Sequence, residues 1–282
     1  MYLVNALKRI SQLLLLPAFM FLAACASNDA PKSASIPQAS ADDDLRIGED
    51  TAKFGAEVKN SNLLRVVRGR YDYLSASDRE LRGTETFLLV AQSDGTRTLT
   101  ASTDIFSRNV QVNAMVRVDA NFRPIESFLQ TYTQGRLKGS GLYRREGTQL
   151  RELVEGTAGK VDRLVDAPDV YSIAAHPIAS DSWQFWPAFA ADSETIETTI
   201  YNIDGFPKWE EHMIGAWDKH LITKIGTRTI TTRAGTFETR GYRLDELFEV
   251  WLTGEDNLIV EMSWPTFDRI YLLSEYSVSS RI

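Results

Sequence analysis

Residues Val110 to Val118 alternate without a break. Val110, Val112, Ala114, Val116 and Val118 share one phase, and Gln111, Asn113, Met115 and Arg117 share the other. Successive side chains of an extended chain point to opposite faces, so this stretch is a strand with one buried face. The pattern recurs. Phe248, Val250 and Leu252 alternate with Glu249, Trp251 and Thr253, and Leu258, Val260, Met262 and Trp264 alternate with Ile259, Glu261 and Ser263. Between those two stretches lies Gly254-Glu255-Asp256-Asn257, a hairpin turn by composition. Similar punctuation falls at Ser93-Asp94-Gly95-Thr96, Asp119-Ala120-Asn121-Phe122, Glu146-Gly147 and Ala234-Gly235. From Leu63 to Val278 strands recur at roughly ten-residue spacing, with no regular helices to serve as parallel crossovers.

The expected fold is therefore all-β. A long antiparallel meander curls, because closure removes exposed edges. The pattern predicts an up-and-down barrel, or a strongly curved half-barrel, of roughly ten to twelve strands with one or two short helices. A transmembrane barrel does not fit, since Arg, Glu and Asp occur on both strand phases and leave no continuous lipid-facing belt.

Composition narrows the function classes. The chain is 43% hydrophobic with a mean hydropathy of −0.23, too apolar for a disordered chain and too polar for a multi-span helical membrane protein. A net charge of −7 and a pI near 5.2 oppose a nucleic-acid partner, which calls for a basic surface. One cysteine supports neither an internal disulfide framework nor a cysteine-based zinc site.

That cysteine belongs to the N-terminus. Lys8 and Arg9 precede an apolar stretch from Leu13 to Ala24, broken by Pro17 and too short to span a bilayer as a helix. It closes on Leu22-Ala23-Ala24-Cys25, which resembles the lipobox of bacterial lipoproteins. The resemblance implies cleavage before Cys25, a diacylglycerol thioether on its sulfur and acylation of the new amino group. Ala26 in place of aspartate resembles the pattern that permits transfer to the outer membrane. Loss of residues 1–24, with two basic and no acidic residues, takes the formal charge from −7 to −9. The lipid and not a basic patch would then hold the protein to an anionic leaflet.

The expected organisation is a signal peptide over 1–24, the lipidated Cys25 and a flexible tether over 25–44, and one β domain over 45–282. The tether has Ile36 as its only large apolar residue and spans on the order of 25 Å as a coil. Ile47, Thr51, Phe54 and Val58 predict a short helix at the start of the domain. Gly235-Thr236-Phe237-Glu238-Thr239, Tyr242, Val250-Trp251 and Leu258-Ile259-Val260 resemble exported bacterial β-rich domains of unknown function. Lipocalins and lipoprotein-carrier half-barrels are similar in general architecture.

All three histidines and all six tryptophans lie between His176 and Trp264. In the segment His176 to Pro187, Ser180 or Asp181 would cap one helical turn ending before Pro187, with Trp183 and Trp186 on one face. One reading is a plug that contributes His176, Asp181 and aromatic walls to a ligand pocket. The other is a short helix closing the barrel, with tryptophans as filler. Further on, a turn at Gly215–Lys219 would place Glu210, His212 and His220 on one face, a set able to ligate a metal or act as acid and base. If that segment is instead helical, Trp209, Met213 and Trp217 form a stripe and the set dissolves. Trp183, Trp186, Trp209 and Trp217 are the expected ligand-binding aromatics.

Other chemistry finds no support. There is no Gly-x-Ser-x-Gly elbow, Gly156-Thr157-Ala158-Gly159-Lys160 lacks phosphate-loop spacing, and no His-Glu-x-x-His occurs. Asp42-Asp43-Asp44 and Glu210-Glu211 read as solvated charge. No cofactor is expected. The leading expectation is a non-enzymatic, membrane-anchored lipoprotein of the bacterial envelope that binds an apolar or amphipathic small molecule. The alternatives are an enzyme using His176, Asp181, His212 or His220, and a structural protein docking an envelope partner.

Overall fold

The computed structural model describes residues 63–204 and 208–280. Cys25, the signal, the tether and the predicted helix over 45–60 lie outside those residues. The first wing of the sheet holds β1 (Leu63–Ser75), β2 (Leu81–Gln92), β3 (Arg97–Ile105), β4 (Val110–Val118), β5 (Pro124–Thr133), β6 (Arg136–Glu146), β7 (Gln149–Gly156) and β8 (Gly159–Asp166). After β9 (Ser172–Ala174) comes a helical segment: α1 (Ile178–Asp181), a 3-10 turn (Ser182–Phe185) and α2 (Trp186–Phe189). The second wing follows as β10 (Thr195–Ile203), β11 (Gly215–Thr232), β12 (Gly235–Leu244), β13 (Phe248–Thr253), β14 (Leu258–Trp264) and β15 (Arg269–Ser280).

These fifteen strands of the described residues form one curved sheet, more strands than the ten to twelve expected. β1 pairs antiparallel with β15, Tyr73 opposite Tyr271, and the wings run outward from this seam. Pairing is antiparallel throughout except between β9 and β10. The edges, β8 and β9, do not pair with each other, so the strongly curved half-barrel describes the fold and the closed barrel does not. Both edges are poor templates for further pairing: β9 is three residues long, and β8 carries Lys160, Asp162, Arg163 and Asp166.

Side chains join what the backbone leaves open. Arg163 of β8 pairs with the fully buried Glu152 of β7 and donates to the Tyr201 hydroxyl (3.3 Å) and the Gly215 carbonyl (3.2 Å) in the second wing. The Gly215 N–H donates to Glu152 at 2.9 Å, and the Tyr143 hydroxyl bonds the Met213 carbonyl. A buried carboxylate is tolerable only when it is ion-paired or hydrogen-bonded. Strand glycines permit the curl. A Cβ on Gly69 would lie 2.5 Å from the Phe87 ring, and one on Gly241 would lie 2.7 Å from the Trp251 ring.

The alternation read from the sequence holds at β4, where Val110, Val112, Ala114, Val116 and Val118 are all buried. The turns expected at Ser93–Thr96, Asp119–Phe122, Glu146-Gly147, Ala234-Gly235 and Gly254–Asn257 each join consecutive strands. The turn expected at Gly215–Lys219 does not form. Those residues open β11, the longest strand, which pairs Gly215 with Ile203 and His220 with Thr198.

Candidate functional site

The helical segment is a plug. Every residue from Ile178 to Phe185 is buried. Phe185 packs on Tyr242 and Phe248, and Trp183 donates its Nε1–H to the Asp256 carbonyl at 3.1 Å. Neither Ser180 nor Asp181 caps it. It begins after Pro177, without a side-chain cap of its own, and continues past Pro187, which sits in the first turn of α2 where its missing N–H costs nothing. The first N–H groups are instead met by a strand. Glu85 of β2, fully buried, accepts from Ile178 N (3.0 Å), Ala179 N (2.8 Å), the Tyr73 hydroxyl (2.5 Å) and the Thr103 hydroxyl (2.7 Å). Burial pushes the Glu85 pKa up against four donors that hold it down.

Beside this anchor lies a pocket of about 210 Å³. Two turns of the same design form its mouth. Each is a 3-10 turn, Phe106–Arg108 after β3 and Pro265–Phe267 after β14, and each ends on a left-handed residue, Asn109 (φ 51°) or Asp268 (φ 52°). Short polar side chains tolerate that conformation. The turns deliver Arg108 and Arg269 to the pocket. Ile105, Ile178, Trp264 and Phe267 give apolar wall, and Tyr73 and Tyr271 meet edge to face at 4.6 Å.

His176 lines the same pocket, in a left-handed conformation (φ 36°), with Nε2 at 3.5 Å from the Tyr73 hydroxyl. Burial, then the charges of Arg269 and Arg108, lower its pKa to about 4, so the ring is neutral at pH 7. Burial and the neighbouring Arg269 also lower the Arg108 pKa. Trp264 presents a buried Nε1–H that has no acceptor among the described residues. Asp181 lies deeper in the plug, where burial and the nearby Glu85 hold its pKa well above the usual carboxylate range. Gln184 Nε2 donates to it at 2.8 Å.

The other expected site residues disperse. His220 Nδ1 meets Asp245 at 2.7 Å on an open groove shared with Glu197 and Lys219. His212 lies near Gly159 at the β7–β8 turn, and Glu210 is exposed. The set of Glu210, His212 and His220 thus rested on a turn that does not exist. Among the described residues no group of three His, Cys, Asp or Glu is placed to hold a metal ion. His176 and His220 line different pockets.

The four expected tryptophans divide among three places. Trp183 and Trp186 belong to the plug, and Trp186 faces an open groove with Phe122, Arg123 and Phe189. Trp209 covers Lys138, whose buried ammonium donates to the Trp209 and Glu211 carbonyls (3.0 and 2.8 Å) and to Thr157 (2.8 Å). Trp217 packs on Tyr201 and Tyr171, at 4.5 and 5.2 Å between ring centroids. None of these four lines the pocket beside His176; Trp264 does. Sequence reading also passed over Glu85, Arg108 and Arg269. For Glu85 the signal was present: it shares the strand phase of Gly83, Phe87, Leu89 and Ala91, all of them buried.

No known family profile matches this chain, and no curated protein does. Solved structures do match. A beta-barrel-like protein of the domain of unknown function DUF1849 from Brucella abortus is 10% identical over 78% of this chain and 100% of its own, with a TM-score of 0.49. A DUF1089 family protein from Pseudomonas aeruginosa is 13% identical over 64% of this chain and 89% of its own, with a TM-score of 0.40. A third, from Parabacteroides distasonis and provisionally described as a lipoprotein, is 11% identical over 76% and 95%, with a TM-score of 0.27.

Proposed function

We propose that this is a lipid-anchored envelope lipoprotein whose curved sheet and plug hold an apolar or amphipathic small molecule, without converting it. The observation that carries the binding half is the pocket beside His176: concave, walled by aromatic and aliphatic side chains, with a few polar groups at its mouth. The plug fixes one wall, since its first N–H groups are held by the Glu85 carboxylate. The anchor half rests on Leu22-Ala23-Ala24-Cys25. Among the described residues no helix is long and apolar enough to cross a membrane.

The two halves are tested separately. Cys25→Ser is expected to abolish incorporation of radiolabelled palmitate and to move the protein out of the detergent phase; unchanged labelling refutes the anchor. Organic extraction of protein purified from its own membranes is expected to yield about one small amphiphile per chain, beyond the acyl groups of Cys25. An extract holding nothing else removes the binding half.

A further inference from the structure

We propose that the pocket recognises the anionic head of its ligand, a carboxylate or phosphate ester on a short apolar tail, through Arg108 and Arg269. This rests on reading the pocket as a ligand site and adds the ligand's chemical class. Arg108 and Arg269 line the same pocket, close enough for the Arg269 charge to bear on Arg108, yet neither forms an ion pair with a carboxylate of the described residues. Two acids of this region are committed elsewhere. Asp268 adjoins Arg269 but accepts from Ser75, Ser77 and Arg82. Both Glu85 oxygens are taken by the plug N–H groups and the Tyr73 and Thr103 hydroxyls.

Elsewhere Arg65 and Arg97 share Asp256 and Arg163 holds Glu152, whereas at the pocket Arg108 is exposed and Arg269 half-buried. Two converging cations with no carboxylate between them are most stable with an anion bound, and planar guanidinium donors match carboxylate and phosphate oxygens.

The tail follows from the walls. A cavity of about 210 Å³ compares with the roughly 150 Å³ that holds benzene in an engineered core, so it takes a ring or a short chain. Phe267 at the mouth is 39% exposed and offers an apolar path for any longer chain.

The experiment is calorimetric titration of the full lipoprotein in nanodiscs of zwitterionic lipid, with empty nanodiscs as blank. The probes are octanoate, octyl phosphate, 1-octanol and inorganic phosphate. Octanoate and octyl phosphate are expected to bind about tenfold or more tighter than octanol. Arg108→Gln and Arg269→Gln are each expected to bring the anions to the octanol level while leaving octanol and the melting temperature unchanged. Equal affinity for octanoate and octanol overturns anion recognition and leaves the pocket as a ligand site. Inorganic phosphate binding as tightly as octyl phosphate overturns the amphiphile. No binding above the blank by any probe overturns the pocket reading with it. Nanodiscs containing anionic lipid that weaken octanoate binding support the proposal and assign the head to a bilayer lipid. If octanoate binding is unaffected by them, the proposal is supported with a soluble amphiphile as the source.

Discussion

Asp181 is 8% exposed inside the plug, with Gln184 as its hydrogen-bond donor and Glu85 close enough to raise its pKa further. A carboxyl group whose folded pKa is raised must take up a proton on folding. Its stabilising contribution is complete below the unfolded value of about 3.9 and is lost as pH rises through the folded value. This is opposite to the behaviour of a salt-bridged aspartate. Asp181→Asn is therefore expected to match the wild type in urea denaturation near pH 3.5 and to be the more stable of the two at pH 7. A variant less stable at pH 7 would show that the ionised carboxylate is the useful form. His176 and Asp181 were legible as candidates because a histidine and an acid interrupt the β pattern together. His212 and His220 are close in sequence, and the structure separates them along an extended strand and the loop before it.

The plug shows what can be read of an element. Its existence was legible, because His176 to Pro187 breaks the period of two and contains two tryptophans at helical spacing. Its cap was not, because the acceptor comes from Glu85, 93 residues away from Ile178. Glu85→Ala removes the acceptor for two plug N–H groups and two buried hydroxyls. The expected loss is about 3 kcal/mol in chemical denaturation, with a smaller loss for Glu85→Gln, which keeps one acceptor oxygen. Equal stability of Glu85→Ala and wild type would mean that the plug is held by apolar packing alone. Strands with one wet face, such as β4, were read residue for residue. The start of β11 resembles a turn in sequence, because Gly215 is followed by charged residues, while the pairing with β10 that extends it is set by the tertiary fold.

At the scale of the whole molecule, a meander that starts and ends beside itself leaves its open edges at β8 and β9. The period and the turns made an antiparallel curved sheet legible. The strand count and the missing closure were not, because they depend on where two distant edges meet. On the open side, away from the β1–β15 ladder, the wings are joined by the side chains of Glu152, Arg163, Tyr143 and Tyr201. The plug end of this sheet holds the pocket between Arg108, Arg269 and His176, and the account stands on that pocket being the ligand site. The most direct test is a crystal structure of the protein with octanoate. The account predicts the carboxylate between the Arg108 and Arg269 guanidiniums, with the chain against Ile105 and Trp264. Octanoate in the groove beside Trp186 or beside His220, with the Arg108–Arg269 pocket empty, would contradict it.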